Sequence, residues 1–391
     1  MVQILDTTLR EGEQTPGVYF DSHIKLAIAE QLDVIGVDFI EAGHPVVSNE
    51  VCDAVKNIAQ RNIRAVIAAH SRSWKKDIDQ AISCGVGFIG IFYCVSEQRL
   101  NGVFKKDLKT AIAQIAEVIR YAKQQNPNII IRYTPEDTVR SEFNNVIEAA
   151  VAATKAGADI ISIADTTGFM VPGTERNMYD YVRKLKTALT EQNQNPKIAV
   201  HCHNDRGFAL ANAIDAFRAG VDIIDASVLG LGERAGIVDL AQLLTVLKID
   251  FGVENNWNLK QLQELYNLVS EHSGIAIPVN NPVMGENAFT HCAGVHTNAA
   301  INNPLHYQSL DPNSIGREMR ISLDHMSGIS SLKYVLKKIG ETELNDDLIN
   351  QVLEIIKSVG QKGKIVRREE LKIIINLIKN KNNKEIIQQV A

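Results

Sequence analysis

Short apolar runs alternate with longer amphipathic stretches over the first ~250 residues, a pattern of buried strands between surface helices. The apolar runs cover residues 2–5, 37–42, 63–69, 86–94, 129–133, 159–164, 197–201 and 222–228. Between them, residues 22–35, 144–156 and 209–219 carry apolar side chains at helical spacing. Gly36-Val37, Gly85-Val86, Gly157-Ala158 and Gly220-Val221 stand where a helix should stop and a strand begin, and glycine supplies the left-handed cap such a stop needs. Eight strand–helix units in about 250 residues predict an α/β protein with a (β/α)8 TIM barrel. The alternative, a doubly wound open sheet, does not usually run to eight such regular units.

The pattern changes after residue 250. Residues 259–273 read as one more amphipathic helix. A turn-rich, mostly uncharged segment follows, with Pro278, Pro282 and Pro304 and the histidines His291 and His296, then His306 and Tyr307. A segment of that length without obvious secondary structure is functional or a linker. Beyond Asp311 the helical pattern returns and closes in a Lys/Asn/Ile-rich tail whose charges fit a solvated helix face. The predicted organisation is a barrel over 1–270, a linker or lid over 271–311, and a small, mostly helical C-terminal region over 312–391.

Composition narrows the class. With 391 residues, 45% hydrophobic and 22% charged, the chain is long enough for a large core and more than one domain. A net charge of -5 gives no reason to expect nucleic acid or an anionic membrane as partner. Cys52, Cys84, Cys94, Cys202 and Cys292 are scattered and odd in number, which fits a reducing cytoplasm rather than a disulfide framework. The first residues read as a strand and not a signal peptide, and no apolar run reaches membrane-spanning length.

A barrel places its chemistry at the carboxyl ends of its strands, and the polar residues gather there. The first strand runs into Asp6-Thr7-Thr8-Leu9-Arg10-Glu11-Gly12-Glu13-Gln14. Later strands end in Glu41, in His70, in Arg132-Tyr133-Thr134-Pro135-Glu136-Asp137, and in Asp165-Thr166-Thr167. The seventh ends in His201-Cys202-His203-Asn204-Asp205, and the eighth leads into Gly230-Leu231-Gly232-Glu233-Arg234-Ala235-Gly236. Alternate strand residues share a face, so His201 and His203 point the same way and can hold a divalent metal. An isolated His-x-His is as readily a structural pair.

The first, seventh and eighth of these stretches together resemble the DRE-TIM metallolyase superfamily, in its homocitrate synthase and 2-isopropylmalate synthase branch. Residues 278–286 and His291-Cys292-Ala293-Gly294-Val295-His296 are similar to the same branch, so the likeness runs to about residue 340. The resemblance implies a metal (Zn, Mn, Mg or Co) held by Glu11, His201 and His203. Glu11 in place of Asp is the homocitrate-synthase-like form. It further implies Claisen condensation of acetyl-CoA, as co-substrate, with a 2-oxo acid, followed by thioester hydrolysis. Arg10 would share the developing negative charge, with Gln14 positioning the substrate or its enol, Thr166 binding the C1 carboxylate, and Glu41 orienting Arg10. The implied base is His296, polarised by Glu136 and assisted by Tyr307. In the family this His and Tyr reach over from the partner subunit, which implies a domain-swapped homodimer. The Gly230, Gly232, Glu233 and Arg234 loop would offer the acyl-CoA a backbone-lined site.

The 2-oxo acid is where the sequence divides. Arg132 and His70, with Thr134 in place of a serine, are similar to the residues that grip the distal carboxylate of 2-oxoglutarate in homocitrate synthases; alternatively Arg132 pairs with Glu136, Glu97 or another resident acid. Gly90 and Ala199 replace the acids of lysine-regulated members, so lysine feedback is not expected, and a wider pocket, lined by Phe92, Tyr93 and Phe169, would admit a branched or aromatic acid. A leucine-sensing domain is not expected either. The first reading is 2-oxoglutarate giving homocitrate. An isopropylmalate- or benzylmalate-type synthase stands beside it, then an acyl-CoA lyase, then a non-catalytic metal-binding barrel.

Overall fold

The computed structural model describes residues 2–379; the Lys/Asn/Ile-rich stretch from 380 onward lies outside them. The chain divides into two compact units, residues 1–277 and 278–391.

In the first unit, β1 (Gln3–Asp6), β2 (Phe39–Gly43), β3 (Val66–Arg72), β4 (Phe88–Cys94), β5 (Ile130–Glu136), β6 (Ile160–Asp165), β7 (Lys197–Cys202) and β8 (Ile223–Ala226) form a closed barrel in sequence order. Every pairing is parallel, and β8 closes on β1 through Leu5 opposite Asp225. The open doubly wound sheet is thereby excluded. Helices α1 (Ser22–Ile35), α2 (Asn49–Ala59) and α3 (Lys75–Ser83) follow the first three strands. The Asp21 carboxylate accepts from the amides of His23 and Ile24 and so starts α1. Gly36, at φ 94°, ends it with its own N–H on Leu32, a left-handed stop that costs glycine nothing sterically.

Two interior layers matter for function. The lower is apolar: Leu5, Phe39, Ala68, Phe88, Ile160, Ala199 and Ile223, with the partly buried Ile130 against them, fill the barrel floor, and the Phe39 and Phe88 rings lie edge to face at 5.3 Å. Each buried phenylalanine contributes about 1.5–3 kcal/mol by leaving water. Because strand side chains alternate, the residue two positions on faces the same interior one level up. Those residues are Thr7, Glu41, His70, Gly90, Arg132, Ser162, His201 and Asp225. The dry floor therefore carries a polar ring directly above it.

Longer helices of the barrel unit follow at Leu108–Gln125, Phe143–Ala156, Met178–Glu191, Ala209–Arg218, Leu240–Thr245 and Leu262–Ser273 (α4–α9), and the second unit contains α10 (Gly294–Asn302), α11 (Ile329–Lys338), α12 (Asp346–Gly360) and α13 (Arg368–Lys379). Its core includes Leu332, Val352, Ile356, Leu371 and Ile375. The expectation of a segment without secondary structure before residue 311 needs correcting, because α10 lies inside it. That helix buries Thr297 and Ala300 rather than an apolar stripe, and the Thr297 hydroxyl is bonded to Ser331 Oγ at 2.7 Å. Two short strands, β9 (Thr290–His291) and β10 (Arg320–Ile321), pair in parallel beside it.

Candidate metal centre at the barrel mouth

The turn after β1 is wound around one carbonyl. Thr7 O accepts from the amides of Arg10, Glu11 and Gly12, which turns the Arg10 and Glu11 side chains over the barrel mouth. Lys25 on α1 pins the same turn from behind. It is buried, donates to Leu9 O at 3.1 Å and pairs with Glu13 at 2.5 Å.

Glu11, His201 and His203 converge, each offering a ligand atom within 4.8 Å of the others. His201 Nε2 lies 3.3 Å from His203 Nε2, and His203 Nε2 lies 4.0 Å from Glu11 Oε1. Ligands ~2.1 Å from a tetrahedral ion are about 3.4 Å apart, so the spacing suits one divalent ion. His203 Nδ1 is buried without a partner. Burial and the neighbouring His201 push the His203 imidazole down to about 4, so it is neutral at pH 7, the form that binds metal. Burial would raise the Glu11 carboxyl, but Arg10 and the two histidines outweigh it and hold it at about 2. A carboxylate and two imidazoles are ligands a divalent ion accepts.

The rest of the polar layer links these ligands into a closed ring. Arg10 contacts Glu11 and donates through Nε to Glu41 Oε2 at 2.7 Å. Glu41 meets Arg132 Nη2 at 3.3 Å; Arg132 Nη1 reaches Asp225 at 2.9 Å; Asp225 Oδ2 meets His201 Nδ1 at 3.0 Å. Glu41 also accepts from Thr7 Oγ1 at 2.7 Å and faces His70 Nδ1 at 3.2 Å. Desolvation would raise the Glu41 carboxyl; Arg10, His70 and Arg132 hold it well below the carboxylate range. Burial, then Arg10, push His70 down to about 4, and its ring stacks on Phe92 at 4.6 Å.

Several predicted residues are thus drawn together, and others find different company. Gln14, its amide oriented to donate, reaches Glu11 at 3.0 and 3.1 Å. Arg132 is 2% exposed and paired with Asp225 and Glu41; the resident acids that hold it are neither Glu136 nor Glu97. Thr134 stands one level higher, in register with Phe92. The Thr166 hydroxyl accepts from Asp137 N at 3.0 Å. Glu136 pairs with Arg99 at 2.7 Å. The loop after β8 braces Glu11: Glu233 N donates to Glu11 Oε1 at 3.2 Å, and the Thr15 hydroxyl ties to Gly232 N at 2.9 Å. Gly230 and Gly236 nearly touch, so a Cβ at Gly236 would fall 1.8 Å from Gly230 O. Arg234 pairs with Asp205 at 2.7 Å. His296 and Tyr307, in the second unit, lie ring against ring at 4.4 Å.

Sequence reasoning missed Asp225. It was swallowed by the apolar run at 222–228, yet a carboxylate two residues after the floor residue Ile223 signals an inward charge in a strand otherwise apolar.

A closed parallel barrel whose carboxyl rim gathers a Glu-His-His set beside a buried arginine defines a barrel able to carry metal-dependent chemistry. The chain belongs to the HMGL-like family, whose model matches residues 1–269, and residues 283–364 match the homocitrate synthase post-HMGL domain-like family. A homocitrate synthase of Pyrococcus horikoshii is 44% identical over 91% of this chain and 94% of its own. Homocitrate synthase AksA of Methanocaldococcus jannaschii is 38% identical over 98% of this chain and 92% of its own. Among solved structures, an HMG-CoA lyase of Bacillus subtilis superposes with a TM-score of 0.61 at 23% identity, covering 72% of this chain and 96% of that one. That likeness speaks to the fold.

Proposed function

We propose that this enzyme condenses acetyl-CoA with 2-oxoglutarate and hydrolyses the resulting thioester to give homocitrate. The observation that carries the reading is the convergence of Glu11, His201 and His203 beside Arg10, in a chain whose relatives along nearly its whole length are homocitrate synthases. A divalent ion (Zn, Mn, Mg or Co) held by Glu11, His201 and His203 would supply Lewis acidity to the keto group of the 2-oxo acid.

The chain's own residues do the rest. Arg10, fixed by Glu41 before substrate arrives, is a preset cation for the negative charge that develops on the keto oxygen. Gln14 and the Glu233 amide orient Glu11. Thr166 binds the C1 carboxylate. His296, with Tyr307 against it, takes the proton from the acetyl methyl group; both come from the partner of a domain-swapped homodimer. Glu136 then exchanges Arg99 for the incoming histidine. The loop at 230–236 meets the acyl-CoA. The setting is cytoplasmic, and no described helix is long and apolar enough to cross a membrane.

The polar layer favours a dicarboxylate over a branched or aromatic acid. At the level of Arg132, His70 and Glu41, a bulky apolar tail would lie against charged and polar side chains without offering them a hydrogen bond. The test is release of free CoA from acetyl-CoA, read with a thiol reagent across a panel of 2-oxo acids and metals. 2-Oxoglutarate should give the highest kcat/KM. A branched or aromatic acid outrunning it would overturn the substrate assignment, and no release with any acid would overturn the reaction. Arg132→Ala is informative as a ratio, because it also leaves Asp225 and Glu41 short of a partner: activity on 2-oxoglutarate should fall further than activity on a monocarboxylic 2-oxo acid.

A further inference from the structure

Asp225 is the point in the ring where metal binding and substrate recognition meet. It shares an interior face of β8 with Ile223 and is 1% exposed. Across the barrel, Arg132 Nη1 reaches both of its oxygens at 2.9 Å. On the adjacent strand, His201 Nδ1 lies 3.0 Å from its Oδ2. A carboxylate facing a guanidinium is an acceptor, so the imidazole nitrogen turned toward it carries the proton. His201 Nε2 then keeps its lone pair, and that nitrogen is the one directed at His203 and Glu11. The other end of Arg132 has an unpaired Nε, buried beside the space at Gly90.

We propose that Asp225 is a positioning residue for both halves of the site, an inference that rests on the metal-dependent reading above. It fixes the tautomer and ring plane of His201 for a divalent ion. With the same carboxylate it holds Arg132 in place beside Gly90, where the tail of the 2-oxo acid enters. A purely structural ion pair does not account for the arrangement, because a buried pair offers little net stability over apolar packing. Nor would such a pair need its second oxygen on a metal-ligand histidine.

The test is Mn2+ affinity of the full-length protein, measured by calorimetry without acetyl-CoA or 2-oxo acid. Asp225→Asn should bind Mn2+ about 10–100-fold more weakly, the usual cost of losing the partner of a metal-bound histidine. Its KM for 2-oxoglutarate should rise as well. If the single variant does not fold, the double variant Asp225→Asn with Arg132→Gln replaces the ion pair by a neutral hydrogen-bonded couple and should show the same loss of Mn2+ affinity. In 15N-histidine spectra, His201 should lose its fixed Nδ1–H signature in either variant. Mn2+ affinity unchanged in the variants, with wild-type uptake intact, overturns this inference alone. Wild-type protein that takes up no Mn2+ brings down the metal-dependent reading with it.

Discussion

The floor of the barrel and the ring above it are made by the same eight strands, two residues apart, and they are opposite in character. Phe39, Phe88, Ile160 and Ile223 make the floor apolar; Glu41, His70, Arg132 and Asp225 make the ring polar. The floor keeps water from below, so charges in the ring act through a low local dielectric and each needs a partner. That is why Arg10, Arg132, Glu41 and Asp225 are interleaved rather than scattered. Rigidity comes from one layer and chemistry from the other, and the two should fail differently.

The largest effect belongs to the ring. Glu11→Gln keeps the shape but removes the ionised ligand, so Mn2+ affinity and kcat/KM should both fall by more than the ~10–100-fold expected for a supporting residue. Calorimetry and CoA release measure the two, while thermal unfolding should move little. Metal affinity within that supporting range would mean that Glu11 is not a ligand.

The floor should show the reverse. Phe88→Ala opens a cavity under Arg132, whose guanidinium lies 5.7 Å from the Phe88 ring centroid. It should cost about 3–5 kcal/mol of stability, read from urea denaturation, and leave Mn2+ affinity near that of wild type. If metal affinity falls in step with stability, the layers are not separable.

Much of this was legible in the chain. The alternation of short apolar runs with amphipathic stretches and the helix-stopping glycines pointed to the barrel, and the candidate metal ligands lie in short local motifs. What stayed hidden depends on the barrel's diameter. Arg132 and Asp225 sit 93 positions apart on β5 and β8, which are not neighbours in the sheet, so no strand register predicts their meeting. Helix α10 stayed hidden for another reason: its buried face is Thr297 and Ala300, satisfied by a hydroxyl pair, and carries no apolar period.

Acid tests the buried titratable groups. His70 and His203 are pushed down to about 4 by burial, so the unfolded chain binds more protons than the fold between pH 6.5 and 4, and stability is lost as pH falls through that window. Burial pushes Asp6 up to about 7 and Asp239 to about 6; there the fold binds the extra proton, and stability is gained as pH falls. The two pairs oppose each other. Metal-free wild type should therefore show a shallow dependence of urea midpoint on pH from 7 to 4.5, and Asp6→Asn a steeper fall on acidification. Equal slopes would mean that Asp6 does not protonate in the fold.

The smallest expected effect gives the finest test of what the ring recognises. Gly90 stands in register between His70 and Arg132, and a Cβ there would sit 3.4 Å from Arg132 Nη2 and from Glu41 Oε1. That is contact without collision, and the backbone is not left-handed, so Gly90→Ala should change stability by only about +0.4 to +1 kcal/mol, through the unfolded chain. If the substrate's tail uses this space, KM for 2-oxoglutarate should rise several-fold (roughly 1 kcal/mol, the low end of what one methylene decides in a pocket) while kcat and Mn2+ affinity hold. An unchanged KM would place the tail elsewhere and leave Arg132 as a brace for Glu41 and Asp225, a part of the ring that the substrate never touches.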